Sequence, residues 1–288
     1  MNRIFISSLI TLCLLFMTGC AQKKDYVVTI STKYGNMIAV LYDETPKHKE
    51  NFIKLAKEHY FDSILFHRVI EGFMIQGGDP ESRKALPGQR LGNGGPGYTV
   101  PAEFDPKYFH EKGALSAARL GDQQNPSKAS SGSQFYIVQG TPLTEDELKI
   151  DQMKLNQAMQ QYFQNPANKP AYDSIVIVYQ SNDVKAYQNM LMKLKPRVEK
   201  ETGIKVEREI SPEKLKAYTT VGGAGNLDGE YTVFGKVIQG IEVIDKIAAQ
   251  PKDPADRPLE DVRMTITVEE VSKNKIEKLY GYHYPDKK

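Results

Sequence analysis

Leu65-Phe66-His67-Arg68-Val69-Ile70-Glu71-Gly72-Phe73-Met74-Ile75-Gln76-Gly77-Gly78-Asp79 decides how the rest of the chain is read. β-Branched and aromatic residues flank Glu71-Gly72, a two-residue break ending in glycine, so the stretch predicts two short strands, 65–70 and 73–78, joined as a hairpin. Side chains alternate across a strand, which places Phe66 and Arg68 on one face, and Met74 and Gln76 together on one face of the next strand. His67 is then turned to the opposite side from Arg68 and reads as structural. The pattern gathers a guanidinium, an amide and apolar side chains in one place. A lone arginine on a strand is ordinarily a solvated edge charge; these neighbours make Arg68 the first candidate for chemistry.

Working outward, Tyr26–Ser31 and Asn36–Tyr42 alternate around Lys33-Tyr34-Gly35 and predict a hairpin. Thr45-Pro46 supplies an N-cap and a first-turn proline before Asn51, Phe52, Leu55, Ala56 and Tyr60, whose spacing predicts an amphipathic helix over about 45–60. His48 and His59 are expected to face solvent on or beside it. Strands follow at about 98–103, 113–119, 134–139, 231–238 and 263–271, with a second helix at about 241–250. Many short alternating strands flanked by only two helices predict a mainly β, closed barrel, which also removes exposed edges. Between Pro80 and Tyr98 the chain is polar and glycine-rich. Gly92 to Gly97 matches G-x-G-x-x-G literally, but Pro96 disrupts the turn into a helix, so the segment reads as a loop lining a groove.

Residues 143–217 depart from the strand pattern. Thr144 and Glu147 form a capping box ahead of Leu148, Leu155, Met159 and Tyr162, and Asn165-Pro166 ends that helix. Ser174–Tyr179 fits either a buried helix turn or a strand, with helix preferred. Val184, Tyr187, Leu191, Leu194 and Val198 form an apolar seam that Gly203 stops, and Ser211-Pro212 starts one more short helix. The segment is expected to be an inserted helical hairpin beside the groove. Residues 273–288 form a C-terminal tail with three tyrosines from Asn274 on, which either packs on the barrel or stays loose.

The 288 residues are 40% apolar and 26% charged, a globular profile, and the formal charge of +2 with no long like-charge block argues against nucleic acid as a partner. Both cysteines, Cys13 and Cys20, lie at the start, so no disulfide framework or cysteine metal site is expected in the body; no metal or cofactor is expected at all. Arg3 followed by the apolar run Ile4–Met17, too short to span a bilayer comfortably, predicts a secretion signal over 1–19. Met17-Thr18-Gly19-Cys20 resembles the lipobox of bacterial lipoproteins, which implies diacylglycerol on Cys20, residues 20–24 as a tether, and membrane attachment in the cell envelope. An unlipidated signal peptide and an uncleaved anchor are the alternatives. Ala21 lacks the aspartate that marks inner-membrane retention in many such proteins, which favours the outer membrane.

The opening stretch resembles the signature of the cyclophilin family of peptidyl-prolyl cis/trans isomerases. Further blocks stand in that family's order: Gly94-Gly95-Pro96-Gly97-Tyr98 with Glu103-Phe104, the run His110–Arg119, Ser131-Gly132-Ser133-Gln134-Phe135-Tyr136-Ile137, and the run Leu227–Gly235. The resemblance covers 25–142 and 218–272 and implies an eight-stranded antiparallel barrel with a helix over each open end. It implies that Arg68 is the catalytic hydrogen-bond donor, with Phe73 and Gln76, and that Phe73, Met74, Tyr136 and Leu227 form an apolar proline pocket. Gln76 would bind substrate backbone; Gln134 and the backbone at Ala118-Arg119 would line the groove on the preceding-residue side. Asn226 stands where the drug-sensitive members have tryptophan, Tyr231 where they have histidine, and Tyr136 where they have phenylalanine. Tyr231 keeps a ring with a polar tip, and weak cyclosporin binding is the expected result of losing the tryptophan.

Such chemistry needs no nucleophile, metal or cofactor. The X-Pro amide resists rotation with a barrier of about 18–20 kcal/mol because of its partial double bond. Holding the twisted amide better than either planar form is sufficient. The partner expected is a proline-containing polypeptide, the chain acting as a monomer. The rival reading is a binding module with little turnover that uses the insert as its client surface. A serine hydrolase is a distant third, since Ser131-Gly132-Ser133 is no nucleophile elbow.

Overall fold

The computed structural model describes residues 23–285 except Asn182; the signal-sequence and lipidation expectations at 1–19 and Cys20 fall outside the described residues. In chain order the elements begin with β1 (Lys24–Thr32), β2 (Gly35–Leu41), α1 (Pro46–Lys57), β3 (Ile64–Ile70), β4 (Met74–Gly77), β5 (Thr99–Val100), β6 (Ala114–Ala117), β7 (Ser130–Ser131) and β8 (Phe135–Val138). Five helices follow: α2 (Glu145–Lys149), α3 (Gln152–Gln164), α4 (Lys169–Gln180), α5 (Val184–Thr202) and α6 (Pro212–Thr220). The chain closes with β9 (Val233–Gln239), α7 (Ile241–Ala248), β10 (Arg263–Ser272) and α8 (Lys273–Tyr280).

Eight strands close into an antiparallel barrel in the order β1-β10-β3-β4-β8-β6-β9-β2, as expected, while β5 and β7 pair separately. Alternation explains the filling: Val28 and Ile30 of β1, Met37, Ala39 and Leu41 of β2, Ile75 of β4 and Ile137 of β8 point into one buried core. Phe52, Leu55 and Ala56 of α1 and Val243, Ile244 and Ile247 of α7 pack into the same core, and Phe52, Phe61, Phe66 and Phe135 meet at tilted and edge-on angles there. The outward-facing Val27, Val40 and Val271 are covered by Ile276 of α8, so the tail packs on the barrel.

Four local expectations need correction. Phe66 and Arg68 do not share a face: the β3–β4 register shifts between them, so Phe66 joins Val69 in the core while Arg68 turns out opposite Gln76. His48 is buried rather than solvent-facing. Thr45 makes no side-chain cap bond, and Glu103 takes its place, accepting from the backbone N–H of Lys47 at 3.1 Å and of His48 at 3.0 Å and from His48 Nδ1 at 2.7 Å. The capping box at Thr144 forms as predicted but on the five-residue α2 alone. Ile150 is drawn into a bridge with Glu207, and Asp151 caps a separate α3.

The insert is helical but is more than a hairpin. α5 packs against both α3 and α4, and Leu155, Ala158, Met159, Tyr162, Ile175 and Val198 form a core distinct from that of the barrel. One partner helix could not cover a nineteen-residue helix with apolar residues facing two ways. The segment leaves the barrel after Thr141 and returns at Gly223, where those two residues bridge and the Leu143 N–H donates to the Tyr218 carbonyl at 2.9 Å.

The end of β4 has no room for a side chain. Gly78 has φ +95°, and a Cβ there would lie 2.1 Å from the Ser133 carbonyl oxygen. Gly78→Ala is therefore expected to destabilise the chain by about 3 kcal/mol or more. Gly88, at φ +74° with nothing within 4 Å of a Cβ, should cost only about 1 kcal/mol on the same change. Urea unfolding of both variants checks the difference, and equal losses would contradict it.

Candidate active site

β3, β4, β6 and β8 present their outer residues to one pocket of ≈ 690 Å³. Arg68 and His67 come from β3, Phe73, Met74 and Gln76 from the turn and strand that follow, Ala118 and Arg119 from the end of β6, and Tyr136 from β8; Leu227 and Tyr231 approach from the chain after the insert. Nine of the ten side-chain positions singled out from sequence thus line a single cavity, the exception being Gln134. Asn226 is exposed and is not among the lining residues. Register explains the juxtaposition. Arg68 stands opposite Gln76, and Gln76 opposite Tyr136, across three neighbouring strands.

Arg68 is held from two sides. Its Nη1 donates to Gln76 Oε1 at 3.4 Å, and its Nε lies 3.6 Å from Asp256 Oδ2. Asp256 is fixed in turn: its backbone adopts φ +66°, its carbonyl accepts from the Val69 N–H at 2.8 Å, and Lys252 donates to its Oδ1 at 2.8 Å. The arginine side chain nevertheless keeps 42% of its exposure. Arg119 keeps only 4%, because it is spent on the Glu230 carbonyl (2.9 Å) and the Asp122 and Glu230 carboxylates, with its guanidinium 4.5 Å from the Tyr231 ring centroid. Arg257 is likewise buried, bonding Asp261 and the carbonyls of Leu86 and Gln89. Of these three arginines, Arg68 is the one with donors left to offer a ligand.

The apolar side of the pocket is a cup of Phe73, Met74, Tyr136, Leu227 and Tyr231, packed on one another and on Ile70. Tyr136 and Tyr231 meet edge to face with centroids 5.9 Å apart. Burial pushes the Tyr136 hydroxyl well above its ordinary pKa, so it remains a donor.

Gln134 faces an adjoining groove of ≈ 720 Å³ that also touches Gln76, Ala118 and Arg119. Its Nε2 donates to the carbonyls of Gly92 (2.9 Å) and Gly94 (2.8 Å), and its Oε1 accepts from Gln76 Nε2 at 3.2 Å. Asp79 grips the same glycine loop from below, accepting from the N–H of Gly92 and Gly94. The glycine-rich segment therefore does line a groove, and it is pinned.

Three contributors escaped the sequence. Asp256 and Arg257 reach the site from a loop 188 residues after Arg68, and no local pattern marks them. His67 was expected to turn away, but the register shift leaves it lining the pocket. Its ring is buried and neither nitrogen has a hydrogen-bond partner. Burial, opposed by the Asp79 charge, lowers its pKa to about 4.

Comparison with known proteins gives a consistent result. The family model described as cyclophilin type peptidyl-prolyl cis-trans isomerase/CLD matches residues 27–164 and 214–269. A Staphylococcus aureus (strain USA300) protein named "Putative peptidyl-prolyl cis-trans isomerase" is 32% identical over 251 residues, spanning 86% of this chain and 94% of its own length. A Streptococcus pyogenes serotype M6 protein named "Putative bifunctional phosphatase/peptidyl-prolyl cis-trans isomerase" is 32% identical over 239 residues, 82% of this chain but 37% of that longer protein. Among solved structures, the cyclophilin type peptidyl-prolyl cis-trans isomerase of Cryptosporidium parvum aligns with a TM-score of 0.50 at 21% identity, over 86% of this chain and 98% of that one, a likeness of fold.

His67 makes a pH prediction. Because folding lowers its pKa from 6.5 to about 4, the unfolded chain takes up the proton first. The stability due to the neutral ring is complete above about pH 6.5 and is lost as the pH falls towards about 4. Between about pH 7 and about pH 4.5 the wild type should lose about 2–3 kcal/mol more than His67→Leu. His48, whose pKa is also lowered by burial, contributes equally to both. Urea unfolding at the two pH values measures this, and identical losses would refute it.

Proposed function

The chain belongs to the cyclophilin-type peptidyl-prolyl cis-trans isomerase family, and from that membership we propose that it isomerises X-Pro bonds of exported or envelope polypeptides by holding the twisted amide with Arg68 above an apolar proline cup. The observation that carries this reading is the sharing of one pocket by an exposed, doubly held guanidinium and by Phe73, Met74, Tyr136 and Leu227.

When the amide twists, resonance is lost and the prolyl nitrogen regains its lone pair. A donor fixed beside it makes a hydrogen bond that scarcely exists in the planar ground state, so the interaction lowers the barrier instead of only tightening binding. Gln76 and Asp256 keep the guanidinium from swinging away, which removes reorganisation from the step. The cup grips the ring while the preceding carbonyl rotates; the Ala118 N–H and carbonyl are paired with Gln134 and Ser131, which leaves the backbone at Arg119 as the edge for the residue before proline. Phe73 and Met74 supply apolar surface to the ring; Gln76 has one amide hydrogen free for substrate backbone after its bond to Gln134.

A second reading, a binding module with little turnover, is favoured by α4, where Tyr172, Ile177 and Tyr179 are all exposed. The two differ at Arg68. In a proline-switch peptide assay on the chain without residues 1–20, Arg68→Ala and Arg68→Lys should lower kcat/KM by about 10²-fold with the fold intact by circular dichroism. Unchanged turnover would discard the mechanism in favour of the second reading.

Placement in the envelope rests on the lipobox-like run ending at Cys20. Two or three acyl chains there, at about 0.8 kcal/mol per buried CH₂, would make attachment lasting. Cys20→Ala is expected to move the protein from the membrane fraction to the soluble fraction, and mass spectrometry of the wild type should find acyl chains on the Cys20 peptide. An unmodified Cys20 would end the proposal.

A further inference from the structure

The insert and the proline cup share a carboxylate. Asp228 follows Leu227, a wall of the pocket, directly in the chain. Its Oδ1 accepts from the His110 backbone N–H at 3.0 Å and from His110 Nδ1 at 3.0 Å. Its Oδ2 accepts from Lys214 Nζ at 3.0 Å, and the Tyr218 hydroxyl spans both oxygens at 2.9 Å. Lys214 and Tyr218 both stand on α6, the last helix before the chain returns to the barrel. On its other side the fully buried His110 places Nε2 2.9 Å from the Tyr136 hydroxyl, with the two rings nearly parallel and 6.0 Å apart.

The direction of each bond follows from charge. Burial alone would raise the Asp228 pKa, but the His110 hydrogen bonds and the Lys214 charge hold it below the usual carboxylate range. An ionised Asp228 can only accept, so His110 Nδ1 donates to it, and the Tyr136 hydroxyl, kept protonated by burial, faces Nε2 as the donor. Tyr218, its own pKa raised by burial and by Asp228, stays a donor. Every donor along the line points towards one carboxylate. The line runs from the insert to a side chain that touches the pocket.

We propose that α6 is a positioning element of the proline pocket: Tyr218 and Lys214 fix Asp228, Asp228 fixes His110, and His110 fixes the Tyr136 ring opposite Leu227. The inference rests on the isomerase reading and deepens it. His110, Asp228, Lys214 and Tyr218 are absent from the pocket lining, so they act only through Tyr136 and Leu227. Freeing the Tyr136 ring would slacken the cup, which matters most when the amide twists; the loss should therefore fall on kcat more than on KM. A structural role for α6 would lower stability without moving that ratio.

The test is a double-mutant cycle on the full chain with Tyr218→Phe and Tyr136→Phe, each of which keeps its ring, read as kcat and KM on an Ala-Pro peptide. Each single change should lower kcat about fivefold with KM nearly unchanged, and the pair should also lower it only about fivefold, since both cut one line. An unaffected Tyr218→Phe, or a double variant losing the product of the two, about 25-fold, would overturn the inference. If Tyr218→Phe does not fold, Lys214→Met takes its place in the cycle, read in the same way. A wild type with no turnover would instead sink the isomerase reading; the cycle is then read as affinity for the same peptide, where additive losses overturn the relay and coupled losses support it.

Discussion

The site depends on one irregularity in a strand pair. A strictly alternating β3 would send Arg68 to the same side as Phe66, which is the barrel core, where an unpaired guanidinium is costly to bury. The shift in register at His67 lets the strand fill the core with Phe66 and Val69 and still turn Arg68 outward, opposite Gln76. The cation then meets its amide and its aspartate at a rim where it stays partly solvated, so it remains available to a ligand. The same shift brings His67 to the pocket with its ring buried and both nitrogens unsatisfied. A desolvation cost and the functional cation thus sit on adjacent residues.

Much of the architecture was legible because it rests on local periodicity. The alternation in Tyr26–Ser31 and Asn36–Tyr42 and the three-and-four spacing after Thr45-Pro46 lead directly to β1, β2 and α1. What periodicity misses is a single inserted residue in a ladder, which inverts every face beyond it. That is why Phe66 and Arg68 part company. Distance along the chain is the other limit. Glu103 buries His48 from 55 residues away, and Asp256 holds Arg68 from 188; neither acidic residue carries any local mark of its partner. Ile150 shows a milder case, an apolar residue in a good helix window that is pulled into an extended bridge by Glu207.

The insert illustrates how a barrel accommodates a second core. Its helices bury their own apolar residues, and the junction is a narrow neck at Thr141 and Gly223, so the ladders that join β8 and β9 to β6 between them are not broken by it. Gly223 is required there by close approach: a Cβ would sit 2.3 Å from the His110 carbonyl oxygen and 2.4 Å from the Tyr218 ring. α6 is the element through which the two bodies touch by polar groups as well as by backbone, because Tyr218 is buried against the barrel with its hydroxyl on Asp228.

The seam between β1 and β10 joins the two ends of the described chain, residue 24 pairing with 272 and the Lys273 N–H reaching the Lys23 carbonyl. Contacts of such long sequence separation form late and slowly, since loop closure must precede any gain from them. A chain emerging with β1 ahead of the other strands has no partner for it on this side until β10 has followed. Barrel closure therefore waits for β10, and a product that stops short of β10 would expose an open strand edge.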